Sequence, residues 1–236
     1  VKITTVLFDL DGTLLPMDQD EFTKGYFALL VRKLAPLGYD PKAVIDAVWH
    51  GTGAMVKNDG SRRNCEAFWR AFTAETGGTI ERDLPVFEDF YGNEFDRVAA
   101  FCGFNAEAAK TVALCRALGF TPVLATNPIF PPVAVETRLR WAGLRGEDFA
   151  HITHYENSRY CKPNPDYYRE ILRTLGRSAE ECVMIGNDAE EDMIAETVGL
   201  RVFLLTDCLI SRNGSDLSAW PHGGFAEAQD FLRALA

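Results

Sequence analysis

No apolar stretch in this sequence approaches the roughly 18 residues that a membrane-spanning helix needs. Nothing at its start resembles a signal peptide, because the run from Ile3 to Leu10 is short, has Lys2 as its sole early cation and is broken by acidic residues. The expectation is a soluble, cytoplasmic protein. Cations are also scarce: Lys and Arg total 24 against 34 for Asp and Glu, a formal charge of -10. That balance argues against a nucleic-acid backbone or an anionic membrane as partner, although a small anion is still accommodated where a metal ion or local cations reverse the field. The six cysteines form no C-x-x-C pair and no cluster, which excludes a zinc knuckle or a dithiol redox motif and leaves idle thiols of a reducing cytosol. Histidine is rare, at four residues. His151 and His154 flank Ile and Thr in a strand-like or loop-like stretch rather than on a helix face, and His50 and His222 read as surface or packing residues. Repeats and low-complexity tracts are missing too.

What remains is the composition of an ordinary globular protein, 47% hydrophobic and 25% charged. Its 236 residues suit either one α/β domain or a core carrying a smaller insert. Short apolar runs at Thr5 to Leu10, Thr121 to Ala125, Cys182 to Ile185 and Arg201 to Leu205 end at Gly, Asn or Asp, as buried parallel strands do. Helical patterns lie between them, at Ala106 to Leu118, Pro132 to Trp141, Pro165 to Leu175 and Glu190 to Val198, with a last one at Phe225 to Leu235 after a loop-like tail. This alternation predicts a doubly wound, Rossmann-like parallel sheet. The alternation fails between residues 17 and 96, where helical patterns at Phe22 to Leu34, Pro41 to Trp49, Cys65 to Thr76 and Leu84 to Phe95 are punctuated by Gly and Pro. The expected organisation is therefore a discontinuous catalytic core, 1–16 and 97–236, with a helical cap domain at 17–96 inserted after the first strand.

Ligands of open α/β sheets bind beyond the carboxyl ends of the strands, so the residues closing each run carry the chemistry. The first run closes in DLDGTLL, with Asp9 and Asp11 two apart and able to face one site. The second closes in Thr126 and Asn127, and the third in Gly186, Asn187 and Asp188. Asp188 and Asp192, four apart, would share a face of a helix starting there, with Glu190 and Glu191 as exposed helix charges. Carboxylates gathered at one edge persist only with a cation or shared protons. Hard oxygen ligands favour magnesium, which takes one or two carboxylates, waters and a phosphate oxygen. Lys162, in CKPNPDYY, brings a compact positive charge to the same edge.

The DLDGTLL segment, the ATN ending, the Lys-Pro-x-Pro segment and GNDAEED together resemble, in order and spacing, the four motifs of the haloacid dehalogenase superfamily. The helical insert resembles the cap of its phosphoglycolate phosphatase and β-phosphoglucomutase subfamily. The resemblance implies that Asp9 attacks phosphorus, that Asp11 serves as acid and then base, and that Thr126 and Asn127 bind the phosphoryl group. Lys162 would bridge nucleophile and phosphate, and Asp9, Asp11 through its backbone carbonyl, Asp188 and Asp192 would hold Mg²⁺. Asn187 is the alternative to Asp188, because counting from Gly186 puts the amide first; a carboxylate neutralises magnesium better. Aspartate at position 11, where dehalogenases have tyrosine, points to phosphate-ester chemistry.

The expected activity is magnesium-dependent hydrolysis of a small phosphorylated metabolite through an aspartyl phosphate. The alternatives are a sugar phosphomutase using the same intermediate and a catalytically silent phosphate-binding regulator, against which the acid-base Asp11 argues. Substrate choice falls to the cap, where Phe22 and Tyr26 face either the pocket or the cap's own core. Lys57, Arg62 and Arg63 read as solvated charges with a second anionic group as the other use. Nothing in the sequence chooses between monomer and homodimer.

Overall fold

Four of the apolar runs form strands in the computed structural model, which describes residues 1–236: β1 (Thr5–Phe8), β2 (Thr121–Leu124), β3 (Cys182–Gly186) and β4 (Arg201–Leu205). A fifth strand, β5 (His222–Gly223), arises in the tail that reads as loop, since two residues are too few to leave a periodic signal. All pairs are parallel, in the order β2-β1-β3-β4-β5. The sheet is doubly wound, as the strand and helix alternation predicts. Its strands are apolar throughout because both faces are covered. Along β1, Val6 and Phe8 pack on one side with residues of α5 (Ala106–Ala117), α6 (Pro132–Trp141) and α8 (Phe225–Leu235), while Leu7 packs on the other with Tyr167, Tyr168 and Ile171 of α7 (Pro165–Leu175).

Between β1 and β2 the chain runs through α1 (Gln19–Leu34), α2 (Pro41–Val56), α3 (Asn64–Thr76) and α4 (Ile80–Asp89), then a π turn and a 3₁₀ turn reaching Phe101. Local chemistry sets these boundaries. Asp18 accepts from the amides of Asp20 and Glu21 at the start of α1, Asp40 accepts from Ala43 ahead of Pro41 at the first position of α2, and Gly77 ends α3 in the left-handed region. The helices bury an aromatic-rich core built around Phe22, Tyr26, Phe68, Trp69, Phe72 and Phe87, joined by Ala134, Tyr155 and Cys161 from the sheet side. Buried Asn64 ties α3 to the sheet side, its amide donating to the carbonyls of Pro128 at 3.2 Å and Tyr160 at 3.3 Å. The two connections run side by side where Gly103 N donates to Pro16 O at 2.7 Å.

Candidate active site

The carboxyl ends of β1, β2 and β3 meet around a cavity of about 140 Å³. Asp9 follows β1 directly, Thr126 and Asn127 follow β2, and Asn187 and Asp188 follow β3; with Asp11, Glu191, Asp192 and Arg212 they line this cavity. Two glycines permit the close approach. Gly12 has φ +84 and faces the Asn187 amide where a Cβ would overlap it, and a Cβ on Gly186 would strike the Asp192 carboxylate. The turn at Gly12 brings Thr13 round so that its hydroxyl donates to Asn187 Oδ1 at 2.8 Å and reaches Asp9 Oδ2 at 3.3 Å.

Lys162 lies beneath this edge, 1% exposed, with Nζ 2.8 Å from Asp9 Oδ1 and 2.6 Å from Asp192 Oδ1. Burial works against its charge, but the carboxylates of Asp192 and Asp9 hold the ammonium well above the ordinary lysine range. Asn127 spans the site: its Oδ1 accepts from the Lys162 amide at 3.2 Å and its Nδ2 donates to Glu191 Oε2 at 3.1 Å.

Asp188 and Asp192 are joined by a turn rather than by the helix their spacing predicts. Asp188 Oδ1 accepts from the amides of Glu190 and Glu191, both at 2.9 Å, and this side-chain capping competes with a helix from Glu190. One i to i+4 bond, from Asp192 N to Asp188 O at 2.9 Å, closes the turn, and a 3₁₀ helix runs only from Met193 to Val198. The pair still meet, Asp188 N donating to Asp192 Oδ2 at 3.0 Å. The other oxygen of Asp188 accepts from Arg212 at 2.7 Å. Glu191 is drawn into the cavity instead of standing exposed, and burial pushes its carboxyl up to about 7. Burial likewise pushes Asp192 up to about 7.

Asp11 has an unforeseen partner. The guanidinium of Arg138, from α6, is wholly buried and paired with Asp11 Oδ2; it also stacks over Phe130 at 4.4 Å from the ring centre. Burial raises the Asp11 carboxyl despite the opposing charge of Arg138. Asp11 Oδ1 and Thr126 Oγ1 are both buried without a hydrogen-bond partner in the protein. A polar atom in that condition is costly unless a ligand or solvent completes it.

Other candidates lie elsewhere. Lys57 and Arg62 line a separate depression with Asp59 and Arg70, and Arg63 precedes α3 with its backbone amide donating to Glu66 at 2.8 Å. His154 Nδ1 accepts from the Glu156 amide at 3.3 Å, and no cluster of His, Cys, Asp and Glu forms a ready-made metal cage anywhere in the chain. Cys161 is buried, and burial holds its thiol above the ordinary range. Phe22 and Tyr26 do both things left open for them: they belong to the aromatic core of the insert and line a second, apolar cavity that also touches Asp11. No helix is long and apolar enough to cross a membrane.

Comparison with known proteins places the chain in a family. The model of the haloacid dehalogenase-like hydrolase family matches residues 3–195. A pyrophosphatase, PpaX, of Halalkalibacterium halodurans is 24% identical over 203 residues, covering 85% of this chain and 82% of its own. Among solved structures, the chain resembles a HAD phosphatase from Thermococcus onnurineus, with 18% identity, TM-score 0.60 and 98% of both chains covered. It also resembles a 2-haloacid dehalogenase from Pseudomonas syringae pv. Tomato, with 20% identity, TM-score 0.64 and coverage of 99% and 100%. The chain belongs to the haloacid dehalogenase-like hydrolase family.

Proposed function

We propose that this hydrolase is a magnesium-dependent phosphomonoesterase that acts on a small phosphorylated metabolite through an aspartyl phosphate, its helices at 17–96 serving as a cap over the core at 1–16 and 97–236. The observation that carries the reading is the set of groups around one cavity: a carboxylate held by a buried lysine, and two buried polar atoms, Asp11 Oδ1 and Thr126 Oγ1, that the protein leaves unpaired. A phosphoryl group between them would accept from Thr126, lie beside Lys162 and present its ester oxygen to Asp11.

Asp9 would attack phosphorus, forming a P–O bond as the ester P–O bond breaks, while Asp11 passes a proton to the departing alkoxide. The raised Asp11 carboxyl suits this donation. Asp11 would then take a proton from water as that water attacks the same phosphorus, returning Asp9 and releasing phosphate. Lys162 holds Asp9 in place throughout and offsets the charge of nucleophile and phosphate. Thr126 and Asn127 shape the phosphoryl end.

The donor set fits a hard divalent cation. Asp9, Asp188, Glu191 and Asp192 crowd one cavity, and burial drives two of them toward their neutral forms, a strain that a bound cation relieves. Magnesium needs only one or two carboxylates, consistent with the lack of a full protein cage. Asp9 and Asp188 are the assigned ligands, with the carbonyl of Asp11. Asp188 Oδ2 is held only by Arg212, whose side chain is 55% exposed, whereas Asn187 spends both ends of its amide on Thr13 and Cys208 O. Both oxygens of Asp192 are engaged, by Lys162 and the Asp188 amide, so it contributes through the field or a bridging water. When bound, magnesium would neutralise charge on the phosphoryl oxygens.

A screen of phosphorylated metabolites for phosphate release, with Mg²⁺ and with Asp9→Asn as control, tests the reading. Turnover by the native chain that vanishes in the variant is the expected result. Full activity in Asp9→Asn, or no release from any substrate, overturns it.

A further inference from the structure

Behind the catalytic cavity lies the second one, of about 180 Å³, enclosed by the inserted helices and the loop after β2. Asp11, Gln19 and Ile129 line both cavities, so the second opens on the side of the acid-base carboxyl where a departing group would sit. Of its 17 lining residues 13 are hydrophobic, among them Phe22, Trp49, Phe68 and Phe130. Neither lysine, arginine nor histidine is among them, and Asp11 is the one charged residue. Arg138 does not reach it; its guanidinium stacks on Phe130, whose ring belongs to the wall.

The few polar atoms of that wall are already paired in part. Tyr26 and Tyr91 hydrogen-bond each other at 2.9 Å, and Thr52 Oγ1 donates to the Val48 carbonyl at 2.9 Å. Gln19, Thr23 and Tyr155 add the remaining side-chain hydrogen-bonding groups, too few to replace the water around a sugar's several hydroxyls, and a second phosphate or a carboxylate would be desolvated with no cation in the wall to meet it. A compact apolar group loses nothing and gains burial. In size the space is close to the roughly 150 Å³ engineered cavity that takes up benzene.

We infer that the substrate is a phosphate monoester of a compact apolar alcohol, one carrying a single aromatic ring or a branched aliphatic group of that size. The inference rests on the phosphomonoesterase reading and names its substrate class. The products are the free alcohol and inorganic phosphate, with water supplying the elements gained. The Asp11-side cavity holds the apolar group, and the Lys162-side cavity holds the phosphoryl group.

The test compares kcat/KM, with Mg²⁺, for benzyl phosphate, methyl phosphate, glucose 6-phosphate, phosphoglycolate and pyrophosphate. Benzyl phosphate is chosen over an aryl ester because its alcohol is no better a leaving group than a sugar hydroxyl. Burial of one ring predicts a preference for benzyl over methyl phosphate of about tenfold to a hundredfold. In Thr52→Trp, which fills the cavity, the benzyl-to-methyl ratio falls toward one. Should that variant lose its native near-UV circular dichroism, benzyl alcohol serves instead, as a competitive inhibitor of methyl phosphate hydrolysis by the native chain. Faster release from pyrophosphate, an anhydride rather than an ester, overturns both readings. Faster release from glucose 6-phosphate or phosphoglycolate overturns the inference and leaves the phosphatase reading standing. So does an unchanged ratio in a folded Thr52→Trp, or an absence of inhibition by benzyl alcohol. No release from any of the five overturns both.

Discussion

Replacing Arg138 by methionine and Asp11 by asparagine, singly and together, probes a pair that sits where the chemistry would occur. The side chains are 0% and 22% exposed, respectively. Two unit charges about 4 Å apart attract by about 4 kcal/mol at an effective dielectric constant of about 20. Partial exposure of Asp11 trims this, so the expected coupling is about 2 to 4 kcal/mol. Arg138→Met keeps most of the stem volume but strands a buried carboxylate, and Asp11→Asn strands a buried guanidinium; breaking such a pair from one side costs about 3 to 5 kcal/mol. The double variant removes both charges and is expected to lose far less than the sum of the singles. Guanidinium-chloride unfolding at pH 8, with unchanged slopes, measures all four corners of the cycle. The coupling should shrink as the pH falls and Asp11 takes up a proton, which burial favours by raising its carboxyl. Losses that add to within about 0.5 kcal/mol at pH 8 would show that the two groups do not interact and would refute the placement of Asp11.

Three further outcomes are expected. Lys162→Met removes the cation between Asp9 and Asp192, and kcat should fall by at least about a hundredfold, as for loss of a group that neutralises transition-state charge; retention of more than a tenth of the native value would speak against its role. Asp188→Asn should weaken Mg²⁺ activation about tenfold to a hundredfold while Asn187→Ala weakens it less, and the reverse order would move the ligand to Asn187. Glu191 has its folded-state carboxyl raised from an ordinary 4.5 to about 7, so without metal its protonated form contributes stability below about pH 4.5 that is lost as the pH rises through 7, at about 1.4 kcal/mol per unit, or about 3 kcal/mol in all. Glu191→Gln should lessen the fall in stability between pH 4.5 and 8 in metal-free unfolding curves by about that amount, leaving the part that Asp192 contributes; an equal fall in the variant would place the titration elsewhere.

The strands were legible because a parallel sheet covered on both faces demands unbroken apolar runs, and Thr5–Phe8 or Cys182–Gly186 satisfy that in the bare sequence. The strand-end residues follow from the same rule, which is why Asp9, Thr126 and Asp188 stand out in the sequence. The turn from Asp188 to Asp192 does not, since helical spacing says nothing about a side chain that caps its neighbours' amides and diverts the backbone. Arg138 was missed because arginine on a helix ordinarily reads as a solvated cation. A signal existed: Ala134, Val135 and Leu139 form the buried face of α6, continued by Ala142 just past its end, and position 138 falls on it, so an arginine there requires a buried anion. Glu191 was misread for a related reason, its exposure having been inferred from a helix that does not form.

The central claim is that Asp9 becomes phosphorylated. Quenching the enzyme during turnover of benzyl phosphate with Mg²⁺, reducing with borohydride and mapping peptides by mass would convert an acyl phosphate at Asp9 into homoserine. The account predicts homoserine at position 9 alone, and only when substrate is present. Phosphate release with no modification at Asp9, or with the modification on another carboxylate, would contradict it.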